Sequence, residues 1–578
     1  MLVPHRGTAL VLIIVGFALF LVILSSPQGT SLDAVAGSVK FLPRPALPSW
    51  TSIYSPLRPS AHKPPESQNS SSGDSAWFSD LSWLNPFSSS ITLDENRSVL
   101  PPLRHRPPIY TYYDGNRNVR HEREADAKLL LAWRRAWFAQ GFRPVILGRG
   151  EAMNNRLYEA AQKLQLQPKL ETDMFRWLAW GDMGAGLLAD WRCFPMARYD
   201  NELLSYLRQG ALPAQITRFD WCLVAGEKGK VNDAIQKAIN NVKEESKSIL
   251  DVIPADLFKT ENPDALAFYG SNVLSTHYPS LAEKIVSSPA AGRSDLVDLI
   301  NSHLHQTFQN VFPAGVAVLR PFPDCTTALV EPTLLLAKEL VRCPNSPMPS
   351  SCPPNRNGCH PCSAGKKMHI TQPSIYKNTS RVFTIGTVPH PYTLISLQHG
   401  ADDITTRLIR RETQRDPWLT EVTKDLLEPR LGPSSRAVVF KDAVAGDAAI
   451  GSSLWITVES LSAKSGDTLP ETFLDELEWQ FGFRIPRENP DLTNKDPTKN
   501  KAANPQPAKQ SVESEYELIG KAREALKGKD NNRVGIKEVA EAWNLADTEV
   551  WRFVRAYRAR SVVERQKWEE EEKNFVGA

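Results

Sequence analysis

The sequence lacks the short motifs that mark several large enzyme classes. It contains no GxSxG, no P-loop and no HExxH, so hydrolase, nucleotide triphosphatase and zinc protease assignments have no motif behind them. It also lacks a strong charge of one sign, since its formal net charge is only +3 over 578 residues. Charge alone therefore indicates neither a nucleic acid nor an acidic polymer as a partner.

Cysteine is scarce, with seven residues in the chain, but four of them crowd together at Cys343, Cys352, Cys359 and Cys362. The CxxC at Cys359 and Cys362 encloses His360, which fits zinc, but no second CxxC pair stands at the spacing of a zinc ribbon. We therefore expect two local disulfides, in one of three pairings. At least one thiol stays odd among the remaining cysteines, Cys193, Cys222 and Cys325.

One long apolar run stands near the start, at residues 9–24, with Arg6 before it and two serines and a proline after it. With Thr8 and the serines it makes a helix of about 28 Å, enough to cross a bilayer core. We expect a signal anchor at 9–26, with residues 1–8 in the cytosol because Arg6 favours that side. The alternative is a cleaved signal peptide, with Ala34-Val35-Ala36 as the cleavage site.

Composition divides the rest of the chain. Residues 27–106 are rich in proline and serine and predict a stem, and residues 487–513 predict a polar linker. Between them, 107–486 predict a lumenal α/β domain, and 514–578 predict a helical tail. We expect that tail to serve packing or self-association rather than to bind nucleic acid, because the anchor exports it. Three glycosylation sequons agree with a lumenal location, at Asn69, Asn96 and Asn378.

Hydrophobic periodicity predicts how the α/β domain starts. A strand at 109–113, a helix at 125–140 and a strand at 144–147 imply a right-handed parallel unit. A second helix follows, capped by Thr172 and ended by Gly184 and Gly186, and then a short buried strand at 187–189. Further strands are expected at 316–319, 382–385 and 437–440, and further helices at 333–341 and 470–479.

The run TDMFRWLAWGDMGAGLLADWRCFPM, at residues 172–196, carries a family resemblance. It resembles the DXD-type sugar transferases of the initiating mannosyltransferase kind and their capsular-polysaccharide relatives. The matching positions are Asp173, Arg176, the Ala185-Gly186 turn, Asp190 and Pro195. With the anchor, the resemblance implies a fungal type II membrane glycosyltransferase of the Golgi, with a GT-A-type mixed sheet and flanking helices. It further implies that Asp173, Arg176 and Gly186 bind the donor. The alternative for Asp173 and Arg176 is an (i, i+3) ion pair on one helix.

Asp190 is the residue to which the resemblance assigns the chemistry. A carboxylate at the end of a strand can hold Mn²⁺ or Mg²⁺ against the diphosphate of a nucleotide sugar. The second acidic position of the family holds Arg192, however, and a cation cannot ligate a metal. Three alternatives remain: Asp190 holds the ion with another group, Arg192 replaces the metal as a clamp, or the site has lost its chemistry. For Asp190 itself, the alternative to a site role is a structural carboxylate that caps the following turn.

The other candidates have weaker patterns. Asp114, at the end of the first strand, either contacts the nucleotide or forms an Asp-Gly turn. His390 and His399 show no paired ligand spacing, which favours a structural role. We expect transfer of a hexose from a nucleotide sugar to a glycan or protein acceptor. The alternatives are a non-catalytic lumenal binding or assembly subunit with the same fold and, if the N-terminus is cleaved, a secreted structural protein.

Overall fold

The computed structural model describes part of the chain, and all of that part belongs to one compact unit, Pro59–Ala578. The described residues are 60–65, 104–115, 120–184, 186–243, 246, 248–319, 331–354, 356, 358–363, 368–373, 379–388, 443–446, 449–457, 469–487 and 548–575.

The strands of this region, in chain order, are β1 (Pro108–Tyr112), β2 (Arg143–Leu147), β3 (Gly186–Ala189), β4 (Cys193–Pro195), β5 (Ile216–Phe219), β6 (Leu223–Gly226), β7 (Phe258–Glu261), β8 (Leu266–Phe268), β9 (Val316–Leu319), β10 (Ile370–Thr371), β11 (Phe383–Val388) and β12 (Ser453–Thr457). The helices are α1 (Arg120–Ala139), α2 (Arg149–Asn154), α3 (Tyr158–Gln162), α4 (Pro168–Met183), α5 (Glu202–Arg208), α6 (Lys228–Asn241), α7 (Ser271–His277), α8 (Pro279–Ser287), α9 (Pro289–Val311), α10 (Glu331–Val341), α11 (Glu471–Phe481) and α12 (Thr548–Lys573). Two short 3₁₀ turns lie at Ile249–Asp251 and Ala255–Leu257.

Three sheets form among the described residues. The first has the order β2-β1-β3-β6-β5-β7 and is mixed, because β1 pairs in parallel with β2 and β3 while β6 runs antiparallel to β3 and β5. The second, β10-β9-β11-β12, is parallel throughout. The third is the antiparallel pair of β4 and β8. The fold is therefore a mixed α/β architecture with flanking helices.

Alternating side chains of the first sheet enter two separate cores. Ile109 and Leu187 face α1 and α9, in a core that also includes the second sheet. Tyr110 and Leu188 face α4 and α6 on the opposite side. Helices thus cover both faces of this sheet, as its short apolar strands require.

The sequence predicted several of these elements. The parallel β1-α1-β2 unit is confirmed, as are the strand now labelled β9 and the helices α10 and α11. The cap at Thr172 is wrong: α4 begins at Pro168, and the Thr172 hydroxyl donates to the Pro168 carbonyl, 2.8 Å away. Proline suits the first helical position because it needs no N–H partner there. Gly184 ends α4 with a φ of 104°, a left-handed value that favours glycine.

Three disulfides are present, as expected for an oxidising compartment. Cys343 pairs with Cys362, and Cys352 pairs with Cys359, which resolves the open pairing and occupies the thiols of the CxxC. A third joins Cys193 to Cys222. Cys325 lies outside the described residues.

Other predictions concern parts of the chain that the structure does not describe. These are the apolar run at 9–24, the strand at 437–440, the three sequons, both histidines of 390 and 399, and most of the stem and linker. No helix within the described ranges has the length and apolarity that a bilayer span needs.

A candidate ligand site at the carboxyl ends of β1 and β3

The first sheet has a topological switch point beside β1. The chain leaves β1 through α1 to β2 on one side, while β3 pairs with β1 on the other side, and all three strands are parallel. Crossovers in opposite directions open a crevice at the carboxyl ends of such strands, where open α/β sheets bind ligands. Asp114 follows β1 and Asp190 follows β3, so both acids stand at this edge.

Backbone contacts fix the segment that carries Asp190. Its N–H donates to the Cys222 carbonyl at 2.7 Å, and its carbonyl accepts from the Cys193 N–H at 2.9 Å. The disulfide between these two cysteines ties the same segment to the β5–β6 turn. The two segments that meet at the end of β3, the one after β3 and the β5–β6 turn, therefore fix the position of Asp190.

Arg192 binds the Asp190 carboxylate through two parallel hydrogen bonds. Its Nε lies 3.0 Å from Oδ1 and its Nη2 lies 3.1 Å from Oδ2, and its backbone N–H donates to Oδ1 at 2.9 Å. Burial by itself raises the pKa of the Asp190 carboxyl, but the charge and hydrogen bonds of Arg192, with the charge of Arg176, outweigh burial and lower it to about 2. Asp190 is therefore a weak base that stays ionised at neutral pH.

A second acid acts on Arg192 through its charge. Asp126 of α1 is fully buried, and its charge contributes to raising the pKa of Arg192, after the larger effect of Asp190. The Arg293 Nη1 donates to both Asp126 oxygens at 3.0 Å, and the Tyr113 hydroxyl donates to Oδ2 at 3.1 Å. The first turns of α1 and the loop after β3 thus share one network of fixed charges.

Arg176 contributes a further cation. It is half-buried on α4, its charge helps to lower the pKa of Asp190, and its Nε is buried with no hydrogen-bond partner in the described part of the chain. Two guanidinium groups therefore act on the region around Asp190.

The other donor-binding candidates are placed differently. The Asp173 carboxylate accepts from the Ser248 hydroxyl at 3.0 Å and from the Ile249 N–H at 2.8 Å, so it holds the 3₁₀ turn that begins there. Gly186 is the first residue of β3, about 13 Å of extended chain from Asp190 and at the opposite edge of the sheet. The structure thus brings Asp190, Arg192 and Arg176 together and places Asp114 at the end of the neighbouring strand β1. Asp173 is engaged by the 3₁₀ turn, and Gly186 lies at the other end of β3.

Asp114 is half-buried and lies within electrostatic range of Arg149, the first residue of α2. The pKa of Arg149 is raised mainly by its hydrogen bond with Tyr158, and the charge of Asp114 adds to that effect. Asp114 is therefore at the β1 side of the crevice, with a cation nearby.

Sequence reasoning missed Asp126. The residue lies three positions before Leu129 and seven before Trp133, on the apolar stripe of α1, where a carboxylate requires a partner. A charged residue on the apolar stripe of a helix therefore indicated a buried ion pair that the sequence analysis did not consider. The partner, Arg293, stands 167 residues away and leaves no local pattern.

The described residues do not fit a divalent cation at Asp190. Both carboxylate oxygens are engaged by the Arg192 guanidinium, and a positive charge stands where a second ligand is needed. No group of three His, Cys, Asp or Glu side chains converges elsewhere in the described ranges in a way that can hold a metal.

Comparison with known proteins gives a family and nothing further. A search of the curated proteins found no match. A search of the solved structures found none either. A family model described as "Domain of unknown function (DUF8765)" matches residues 71–578, which is most of the chain, and the protein belongs to that family.

Proposed function

We propose that this protein is a type II membrane glycosyltransferase of the Golgi or another secretory-pathway membrane. It transfers a hexose from a nucleotide sugar to a glycan or protein acceptor. The observation that carries the proposal is the cluster of Asp190, Arg192 and Arg176 at the carboxyl end of β3, beside the switch point where Asp114 follows β1.

The charges suit a diphosphate. Nucleotide-sugar cleavage leaves negative charge on the departing diphosphate, and fixed cations in a partly desolvated site stabilise that charge. Arginine is well matched to this task, because its planar fork binds phosphate oxygens by two parallel hydrogen bonds. Arg192 and Arg176 fill this role, and Asp190 holds the Arg192 guanidinium in place.

The residues also indicate what Asp190 does not do. A carboxyl with a pKa of about 2 accepts a proton poorly at neutral pH, so Asp190 serves to orient Arg192 rather than to deprotonate the acceptor. Asp114, at the end of β1, accepts hydrogen bonds from the nucleotide. Donor binding in this scheme uses arginines and not a metal.

The three disulfides support the lumenal placement, because such bonds persist mainly in oxidising compartments. The anchor at 9–26 completes the proposed topology.

A second candidate is a non-catalytic lumenal binding or assembly subunit with the same fold. A specific observation favours it: the bidentate Asp190–Arg192 pair already satisfies both groups, and Asp173 holds a turn. Side chains that already bind each other have fewer free hydrogen-bonding groups with which to bind a substrate.

Purified full-length protein in detergent separates the two candidates. Release of nucleoside diphosphate is measured with a panel of nucleotide sugars and acceptor glycans, with and without EDTA. We expect turnover that resists EDTA and falls about 100-fold in Arg192→Ala, as for loss of one charge-stabilising donor. Arg198→Ala is the matched control, because Arg198 makes the same two-point contact with Asp200 at an exposed site. Nucleotide-sugar binding without turnover favours the second candidate. If the protein shows neither binding nor turnover, both candidates are contradicted.

A further inference from the structure

The turn between β5 and β6 lies beside Asp190. Ala189 at the end of β3 pairs with Leu223 at the start of β6, so residues 220–222 stand at the same edge of the sheet as the crevice. Trp221, in this turn, is 72% exposed. An indole so exposed lacks the hydrophobic stabilisation that burial gives. Trp221 directly precedes Cys222, whose carbonyl accepts from the Asp190 N–H.

The turn is rigid. The disulfide to Cys193 fixes its end, the Asp190 N–H binds the Cys222 carbonyl at 2.7 Å, and the Asp220 N–H binds the Glu261 carbonyl at 2.8 Å. Asp220 also takes a left-handed conformation, with a φ of 49°. The indole is thus held in the open by a fixed backbone.

Arg218 covers one face of the indole. Its guanidinium carbon lies 4.2 Å from the centroid of the Trp221 ring and 5.6 Å from that of Phe258. Because Trp221 is largely exposed and Arg218 covers one face, the other face of the indole is open to solvent. A supported flat ring with one open face is a stacking platform for another ring.

Polar groups near the platform are incompletely paired. Burial raises the pKa of Asp220, and its Oδ2 has no hydrogen-bond partner within the described residues, nor has the Arg218 Nε. Both atoms are buried, so a ligand meets the open face of the indole and not these two groups. A ring with apolar faces and hydroxyl groups at its rim fits that face, and a sugar is such a ring.

We propose that Trp221 is the stacking platform for the sugar ring of the acceptor. The inference rests on the proposed function, which supplies the assignment of donor and acceptor. The switch point lies between β1 and β3, so a nucleotide there occupies the Asp114 side of Asp190. The β5–β6 turn lies beyond β3 on the other side, where the acceptor must approach. Trp221 and the nucleotide are then on opposite sides of the reacting centre.

The test uses the full-length protein and three oligosaccharide series that end in mannose, galactose or N-acetylglucosamine. Dissociation constants are measured by ligand-observed NMR for wild type, Trp221→Ala, Trp221→Phe and Tyr206→Ala. Tyr206 is the control, as an aromatic side chain that is 42% exposed on α5. We expect at least one series to bind, a loss of about tenfold or more in Trp221→Ala, partial recovery in Trp221→Phe and no change in Tyr206→Ala.

Binding of a nucleoside diphosphate is measured in parallel and is expected to be equal in wild type and Trp221→Ala. Loss of nucleotide binding in Trp221→Ala assigns the indole to the donor and overturns the inference. Equal oligosaccharide binding in wild type and Trp221→Ala also overturns it, as does absence of binding by every series. Trp221-dependent oligosaccharide binding without nucleotide-sugar turnover supports the platform while contradicting the proposed transfer, so the two failures are distinguishable.

Discussion

Arg192 and Asp190 are two partly buried charges that satisfy each other. Their side chains are 32% and 15% exposed, so removal of one leaves the other in a poorly solvated place. The exposed pair of Arg198 and Asp200 has the same sequence separation and the same two-point contact, at side chains 43% and 68% exposed. The comparison isolates the effect of burial.

Replacing Arg192 by alanine is expected to lower the free energy of unfolding by about 2 kcal/mol, since an unpaired and partly buried carboxylate remains. Arg198→Ala is expected to cost less than about 1 kcal/mol, as is usual for exposed pairs. Urea unfolding of the purified protein at neutral pH measures both. Equal losses in the two variants would show that Asp190 is better solvated than the structure indicates.

His62 makes a different kind of contact, with two buried acids at once. Its ring nitrogens lie 2.7 Å from Glu151 and 3.2 Å from Glu572, and Phe575 stacks on the ring. Burial lowers the pKa of His62, but its hydrogen bonds and the charges of Glu151 and Glu572 outweigh burial and raise it to about 9. Protonated His62 therefore links residues near the start of the described chain to the end of α12.

This link predicts a pH dependence. The pKa of folded His62 exceeds its unfolded value near 6.5, so its contribution, about 3 kcal/mol, is complete below pH 6.5 and is lost as pH rises to about 9. The difference in unfolding free energy between wild type and His62→Gln should shrink over that window. Exposed His277→Gln is the control and should match wild type throughout. A His62→Gln difference that is constant from pH 6 to 9 would contradict the charged link.

At the residue scale, the sequence predicted where the candidate side chains lie better than it predicted which partners they bind. The position of Asp190 at the end of β3 was predictable, because the sequence shows a short apolar strand followed directly by an acid. The sequence does not show that Arg192 folds back onto Asp190, because that depends on the backbone after the strand. Nor does it show that Asp173 binds Ser248, which is distant along the chain.

The C-terminal helix α12 is packed against the α/β domain. Trp568 is 7% exposed, stacks on Phe138 of α1 at 5.8 Å and meets Trp479 of α11 edge-on at 5.8 Å. The Arg134 guanidinium carbon lies 4.6 Å from the centroid of the Trp568 ring. Self-association of the C-terminal helices stays a prediction, and it has to use a surface other than this one.

Trp568→Ala is expected to reduce the free energy of unfolding by about 3–5 kcal/mol, because it opens a large cavity between three helices. Trp221→Ala removes the same side chain from an exposed site and should cost less than about 1 kcal/mol. Chemical unfolding compares the two. A small loss in Trp568→Ala would mean that α12 does not contribute to the stability of the domain.

The disulfide beside Asp190 closes a longer loop than the one at Cys352. Cys193 and Cys222 are 29 residues apart, and Cys352 and Cys359 are 7 apart. Loop-closure entropy predicts losses of about 3–4 and about 2–3 kcal/mol when each pair is replaced by alanine. We expect only the Cys193/Cys222 replacement to reduce nucleotide-sugar turnover as well, because it frees the turn that holds Asp190. Reduced turnover in both double variants would point to a general loss of fold.

Element prediction succeeded where periodicity was long. The helix α1 and the strands on either side of it carry clear patterns, and so does α11. Strands of two or three residues, such as β10 and β4, are too short to show alternation and were not predicted, whereas β9 and β11 of the second sheet were. Disulfide pairing also needed the structure, since four cysteines allow three arrangements.

At the scale of the whole molecule, compartment and activity depend on each other. The proposed anchor places the domain in a lumen where nucleotide sugars and oxidising conditions are both found. In sealed vesicles from expressing cells, we expect the domain to resist added protease until detergent is supplied. Digestion in intact vesicles would contradict the lumenal topology.

Photoaffinity labelling reports where a nucleotide binds on the protein, so it tests the proposed donor site at Asp190. Full-length protein is irradiated with azido-uridine and azido-guanosine diphosphate sugars, in EDTA, and the labelled peptides are identified by mass spectrometry. We expect labelling on peptides that contain Asp114 or Asp190, with competition by unmodified nucleotide sugar and a reduced yield in Arg192→Ala but not in Arg198→Ala. Labelling confined to other peptides, or labelling that unmodified nucleotide sugar does not reduce, would contradict the assignment of this crevice.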